Sequence, residues 1–142
     1  MNISAKLATS RITGLAGRLV ADGVITSEQA QHAHRESAKN KTSLTRYLVN
    51  TVGINAVAVA EASAQEFGVP LLDARAIDRH ALPDKLVSVD LMTKHHAVPL
   101  FRRGNRLFIG LSDPTNLAAL DEMKFATGIS TDAVLVDEKS LS

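Results

Sequence analysis

Apolar residues recur at helical spacing through the first half of the chain and at strand spacing only after Pro70. Leu15, Ala16, Leu19 and Val20 share one face of a predicted helix that ends near Gly23. Thr26 with Gln29 three residues on predicts a capping box and a second helix to about Lys39, whose thin apolar side is Ala30, Ala33 and Ser37. Leu44, Tyr47, Leu48 and Val52 predict a third helix. Asn55 caps a fourth, along which Val57, Ala60, Ala64 and Phe67 recur at spacings of three and four until Gly68 and Pro70 stop it.

These helices contain a short echo. Leu19-Val20 followed by Val24-Ile25-Thr26 returns 29 residues later as Leu48-Val49 followed by Gly53-Ile54-Asn55. Two helix-turn-helix hairpins in succession would produce it.

Beyond Pro70 the pattern predicts a different subdomain. Val69 to Asp73, "VPLLD", reads as a short strand, and Pro83 with Asp84 opens a helix through Leu86, Val87, Leu91 and His95. "AVPLFRR" and "RLFIGLS" flank Gly104-Asn105, so Val98 to Arg102 is expected to pair antiparallel with Arg106 to Ser112, with Leu107, Ile109 and Leu111 on one side. A helix from about Asn116 to Ala126 follows, with Leu117, Leu120, Met123 and the stem of Lys124 along one edge and Gly128 closing it. Thr131 to Asp137 is the last predicted strand, and "EKSLS" begins another helix. The expected class is therefore α+β: a helical subdomain of two hairpins over residues 1–68, then a strand-helix-hairpin-helix-strand subdomain over 69–142.

Composition narrows the function. Sixteen basic residues nearly balance fifteen acidic ones, for a formal net charge of +1, so the large positive field that drives nucleic-acid binding is absent. No nucleic-acid partner is expected. The lack of cysteine excludes disulfides, thiolate catalysis and cysteine-bound zinc, and suits a reducing cytoplasm. No apolar run approaches the roughly 20 residues that cross a bilayer, so direct membrane insertion is not expected.

Candidate chemistry is sparse. The "SDPTN" stretch, Ser112 to Asn116, accounts for itself as a strand-to-helix joint, because Asp113-Pro114 initiates a turn and Thr115 or Asn116 is a good N-cap. No glycine begins a phosphate-binding P-loop and no serine, histidine and acid arrangement stands out, so no catalytic residue and no enzyme activity is expected of this chain. His32/His34 and His95/His96 stand too close in sequence to converge on a metal from one helix face, and no metal site is expected. Asp121-Glu122 and Asp137-Glu138 read as solvated acidic pairs. Arg102, Arg103 and Arg106 flank the hairpin, where charge keeps a turn soluble.

The run "VPLFRRGNRLFIGLSDPTNLAALDEMKFATG" and the strand "AVLV" resemble, taken together, the MshEN-like N-terminal region of the type IV pilus and type II secretion assembly ATPases, the PilB and GspE group. "EFGVPLLD", Glu66 to Asp73, fits the same family where its helical and α+β parts meet. The resemblance implies a regulatory region of a pilus extension motor whose ATPase core, with ATP and Mg, lies outside this chain. It implies no cofactor in the chain itself, and a cytoplasmic location at the inner-membrane pilus machinery. The partners it implies are the rest of the motor, the inner-membrane platform indirectly, and a PilZ-type adaptor protein.

Some members bind cyclic di-GMP through two tandem motifs of the form Arg-Leu-Gly, two residues, Leu-Val, two residues, Gly-Leu-Ile, then Gln. Here the first copy matches at Leu19-Val20, Gly23-Val24-Ile25 and Gln29, but opens with Gly14-Leu15-Ala16 and lacks the arginine; Arg11 stands three residues upstream. The second opens with Ser43-Leu44-Thr45, keeps Leu48-Val49, and has its glycine one residue late at Gly53. Loss of the arginine removes a planar donor for phosphate or guanine, and weak or absent ligand binding follows. The helical part is then free to dock the adaptor, and Leu15, Leu19, Val20 and Tyr47 are the expected docking residues; the alternative reading of the same four is that all of them are core.

Overall fold

A computed structural model describes residues 14–73, 75 and 86–141. Its elements are α1 (Gly14–Ala21), α2 (Ser27–Lys39), α3 (Leu44–Arg46) running directly into a π-helix (Tyr47–Val52), and α4 (Ala56–Phe67). They continue with α5 (Val89–His95), β1 (Ala97–Arg103), β2 (Arg106–Leu111), α6 (Leu117–Thr127), β3 (Ser130–Leu135) and α7 (Glu138–Leu141). The class is α+β, as the pattern predicts.

The helical half is two hairpins, and their caps explain the echo. Thr26 caps α2 with the full reciprocal box to Gln29, and Asn55 caps α4 by accepting from the Ala58 N–H. Each cap follows a helix that ends on a left-handed glycine, Gly23 at φ +75° and Gly53 at φ +89°. Leu19 and Leu48 are fully buried, and around them pack Ile25, Ala30, Ala33, Val49 and Val59. Arg18 on α1 pairs with Glu66 on α4 at 3.1 Å and donates to Gln65.

The second half is a mixed three-stranded sheet in the order β1-β2-β3. β1 and β2 pair antiparallel through the Gly104-Asn105 turn, with a register shift between Pro99 and Phe101, while β2 and β3 pair parallel. A parallel pair needs a crossover, and α6 supplies it. The predicted strand at Val69 to Asp73 is reduced to a single parallel bridge, Leu71 to Leu135, closed by Leu72 N–H to Leu135 O and Leu135 N–H to Pro70 O. Leu107, Ile109 and Leu111 face one side together, against Ala119 and Met123 of α6. The other side packs Leu100, Val134 and Val136 against Leu72 and Leu141.

Three expectations are corrected. The helix expected to open at Pro83-Asp84 starts instead at Val89 behind the Ser88 cap, whose hydroxyl accepts from Leu91 N–H; Pro83 and Asp84 lie outside the described residues. On α4 the buried face is Val59, Ala60, Ala62 and Ser63, with Val57 52% and Phe67 38% exposed. Alanine at alternate positions along α4 leaves its sequence little apolar contrast, so the packing partner α1 decides the face. On α6 the buried residues are Ala119 and Met123, whereas Leu117 is 64% exposed.

Candidate functional site

The leading triplets of the two helical copies meet in one cleft of about 330 Å³. Leu15 comes from α1, Leu44 and Thr45 from α3, Ser37 from the end of α2, Phe67 from the end of α4, and Asp113 from the loop after β2. Neither lysine nor arginine lines it among the described residues. Arg11 lies outside them. Where an arginine would open the first copy stands Gly14, at φ +64°, and a Cβ there would meet nothing within 4 Å. The cleft as described therefore has hydroxyls, apolar walls, one carboxylate and the imidazole of His34, and it offers no permanent cation to a dianion.

The late glycine of the second copy does not break the turn. Three residues separate Leu19 from Gly23, and four separate Leu48 from Gly53. In the first copy Val24 N–H reaches Leu19 O at 2.9 Å; in the second Ile54 N–H reaches Leu48 O at the same 2.9 Å. The extra residue is taken up by the π-helix, whose wider turn absorbs an insertion.

Three of the four expected docking residues are placed in the interior and the fourth is half-buried. Leu15 is 9% exposed, Leu19 0% and Tyr47 8%, and the half-buried Val20 packs against the same core. Amphipathic spacing identified a buried face but gave no sign that any of it stays open. Tyr47 also stands against His32, with ring centroids 6.5 Å apart.

The loop from Ser112 to Asn116 behaves as a joint. Asp113 Oδ1 accepts from the Thr115 N–H and hydroxyl at 3.0 and 2.6 Å, and Asn116 caps α6 by accepting from Ala119 N–H while its amide donates to His95 O.

The feature the sequence did not show is a buried carboxylate. Glu138 opens α7 with its side chain fully covered. His96 Nε2 lies 2.9 Å from each of its oxygens, Ser112 Oγ donates to it at 2.7 Å, and Asn50 Nδ2 of the π-helix donates at 3.2 Å. Burial alone would push this carboxyl up, yet the hydrogen bonds from His96, Ser112 and Asn50 hold it below its ordinary value. Asp137-Glu138 is thus not a solvated pair: Glu138 is interior, and Asp137 caps the chain turn by accepting from Ser140. Glu122 likewise faces neighbours, Lys94 Nζ at 3.4 Å and His95 Nε2 at 2.7 Å, the latter an ion-pair distance without hydrogen-bond alignment. His96 is 42 residues from Glu138 and Asn50 is 88, so no local spacing announces the cluster. Among the described residues no group of three or more metal-binding side chains converges.

Residues 67–142 match the MshEN domain family. The chain belongs to that family. This MshEN chain is 36% identical over 131 residues to the type IV pilus assembly ATPase PilB of Pseudomonas aeruginosa, an alignment that covers 92% of the chain and 23% of PilB. It spans about a quarter of that relative's length. Its fold is that of MshE, solved "with cdg", at TM-score 0.67 and 23% identity over 91% of this chain and 94% of that one. It is also that of the N-terminal domain of XpsE, at TM-score 0.68 and 21% identity over 94% and 90%. No helix among the described residues is long and apolar enough to cross a membrane.

Proposed function

We propose that this MshEN domain is the N-terminal regulatory module of a PilB-type pilus extension motor, and that it docks a PilZ-type adaptor rather than sensing cyclic di-GMP. One observation carries the reading: among the described residues the cleft where the two motif triplets meet has no lysine or arginine, its one ring nitrogen source being His34, although the fold that builds it is intact. A phosphate-bearing ligand would have to be held there without the forked donor of an arginine or the ammonium of a lysine. ATP and Mg chemistry, in this reading, belongs to the motor part of the protein, which works in the cytoplasm beside the inner-membrane platform.

With Leu15, Leu19 and Tyr47 in the core, the adaptor is assigned to a different face. A groove of about 610 Å³ runs between α4 and Leu71-Leu72, with Val57 and Leu71 52% and 40% exposed beside Glu61 and Asp73. Such open apolar side chains with a charged rim suit a protein partner. Titration of the adaptor against wild type, Val57→Asp and Leu71→Asp tests this. Binding lost with an unchanged melting temperature supports it; undiminished binding by both variants removes it.

A second reading keeps cyclic di-GMP as the ligand. It is favoured by the π-helix, which restores the second glycine turn, and by the relative MshE solved with cdg. Calorimetry separates the two, because a Kd near or below about 1 μM for cyclic di-GMP would overturn the first.

A further inference from the structure

We propose that the π-helical turn Tyr47–Val52 is a two-register latch, which ties the second helical hairpin to α7 through Asn50 and Glu138. The proposal goes beyond the choice of ligand or adaptor and does not depend on it.

A π-turn is a rare and strained alternative to α-helix, and here it is local, since Leu44–Arg46 immediately before it is α-helical. Its cause is one residue more than the first copy has between the core leucine and the turn glycine. That residue could have been discarded into the following loop. Instead the helix keeps it, and the helix then presents Asn50 to Glu138 at 3.2 Å. Returning the segment to α register would rotate the residues beyond the bulge by about 100° and shift them about 1.5 Å along the axis, enough to part the amide from the carboxylate.

The two ends of this helix face different things. Leu44 and Thr45, at its start, line the cleft shared by both hairpins. Asn50, near its end, holds Glu138, which also engages His96 at the entry to β1 and Ser112 at the exit of β2. A push on Leu44-Thr45 therefore has a continuous route, through one helix of nine residues, to the carboxylate that opens α7. His96 adds a second sign of selection. It adopts φ +52° at the end of α5, where the ends at Gly23, Gly53, Gly68 and Gly128 use glycine, so its side chain is retained against a backbone cost.

Amide exchange followed by NMR tests the latch in three variants. Asn50→Ala removes the contact, deletion of Thr51 removes the extra residue so that only α register remains, and Thr51→Ala is the control. In the first two, the hydrogen-bonded amides of Val136 and Ser140 should exchange roughly tenfold faster, as loss of a hydrogen bond to a charged group implies. The Gly128 amide, bonded to Lys124 at the far end of α6, should hold its rate. The control should match wild type throughout. Equal acceleration at all three amides in Asn50→Ala would mean general destabilisation, and no acceleration would mean an idle contact; either overturns the latch. If the deletion fails to fold, Asn50→Ala decides alone, since Asn50 is itself exposed.

Discussion

His96 Nε2 stands 2.9 Å from both oxygens of Glu138, and the backbone that carries it is left-handed at φ +52°. The second non-glycine residue of this kind among the described residues is Lys41, at φ +53°, exposed and following the end of α2. The two share a backbone and differ in what the side chain does.

That contrast yields a paired prediction. A left-handed conformation costs an L-residue about 1–2 kcal/mol, and glycine gives back about 0.5–1 kcal/mol of this as unfolded-state entropy. Lys41→Gly should therefore be neutral or stabilise by up to about 1 kcal/mol. His96→Gly gains the same relief but strips a partner from a buried carboxylate, a loss of about 3–5 kcal/mol, so its net effect should be a destabilisation of about 2–4 kcal/mol. Urea denaturation of both variants checks this; equal effects would mean that the imidazole contributes nothing.

Glu138 sets an acid limb. Burial opposes its ionisation, but the hydrogen bonds from His96, Ser112 and Asn50 outweigh burial and leave its folded value below 4.5. A depressed carboxylate stabilises fully above its unfolded value and loses that contribution as pH falls through the folded one. Between about pH 3 and 6, the urea midpoint of wild type should therefore drop more steeply than that of Glu138→Gln. The variant should be the less stable at pH 6, and the gap should narrow on acidification. Parallel curves would show that the carboxylate carries no such linkage.

What the sequence made legible was local. The capping box at Thr26, the glycine stops at Gly68 and Gly128, and the turn at Gly104 with the alternation of Leu107, Ile109 and Leu111 each depend on residues a few positions apart, and each stands as expected. The echo of Leu19 in Leu48 was legible for the same reason. Faces were less so, because alanine-rich α4 offers several faces of similar hydropathy and only the neighbour selects one. Glu138 was not legible at all. A glutamate beside an aspartate reads as solvated until residues 42 and 88 positions away are folded against it.

Burial of Leu19 decides what a charge at that position does. At 0% exposure, within a cluster of Leu48, Val59 and Ala30, it has no path to solvent. Leu19→Asp should unfold the helical half, and Leu19→Ala should cost about 2–5 kcal/mol through the cavity it leaves. Circular dichroism with urea titration measures both, and a folded Leu19→Asp that merely lost adaptor binding would return Leu19 to the surface.

The empty electrostatics of the cleft predict a gain of function. Gly14 occupies the slot of the missing arginine; a Cβ there meets nothing within 4 Å, but φ is +64°. An arginine at 14 therefore has space and pays a backbone cost of about 1–2 kcal/mol. That cost falls on folding, in the free and the bound protein alike, whereas a charge-assisted contact to phosphate or guanine adds about 1.5–3 kcal/mol to binding, a gain of roughly tenfold or more in Kd. Arginine at the matching slot of the second copy is less favourable, because Ser43 caps α3 by accepting from the Arg46 N–H at 3.1 Å, and losing that cap costs about 0.5–2 kcal/mol. Calorimetry with cyclic di-GMP should therefore rank Gly14→Arg above wild type and above Ser43→Arg. The order distinguishes a missing donor from a lost scaffold: if Gly14→Arg folds and gains nothing, the geometry of the cleft, and not its charge, is what excludes the dinucleotide.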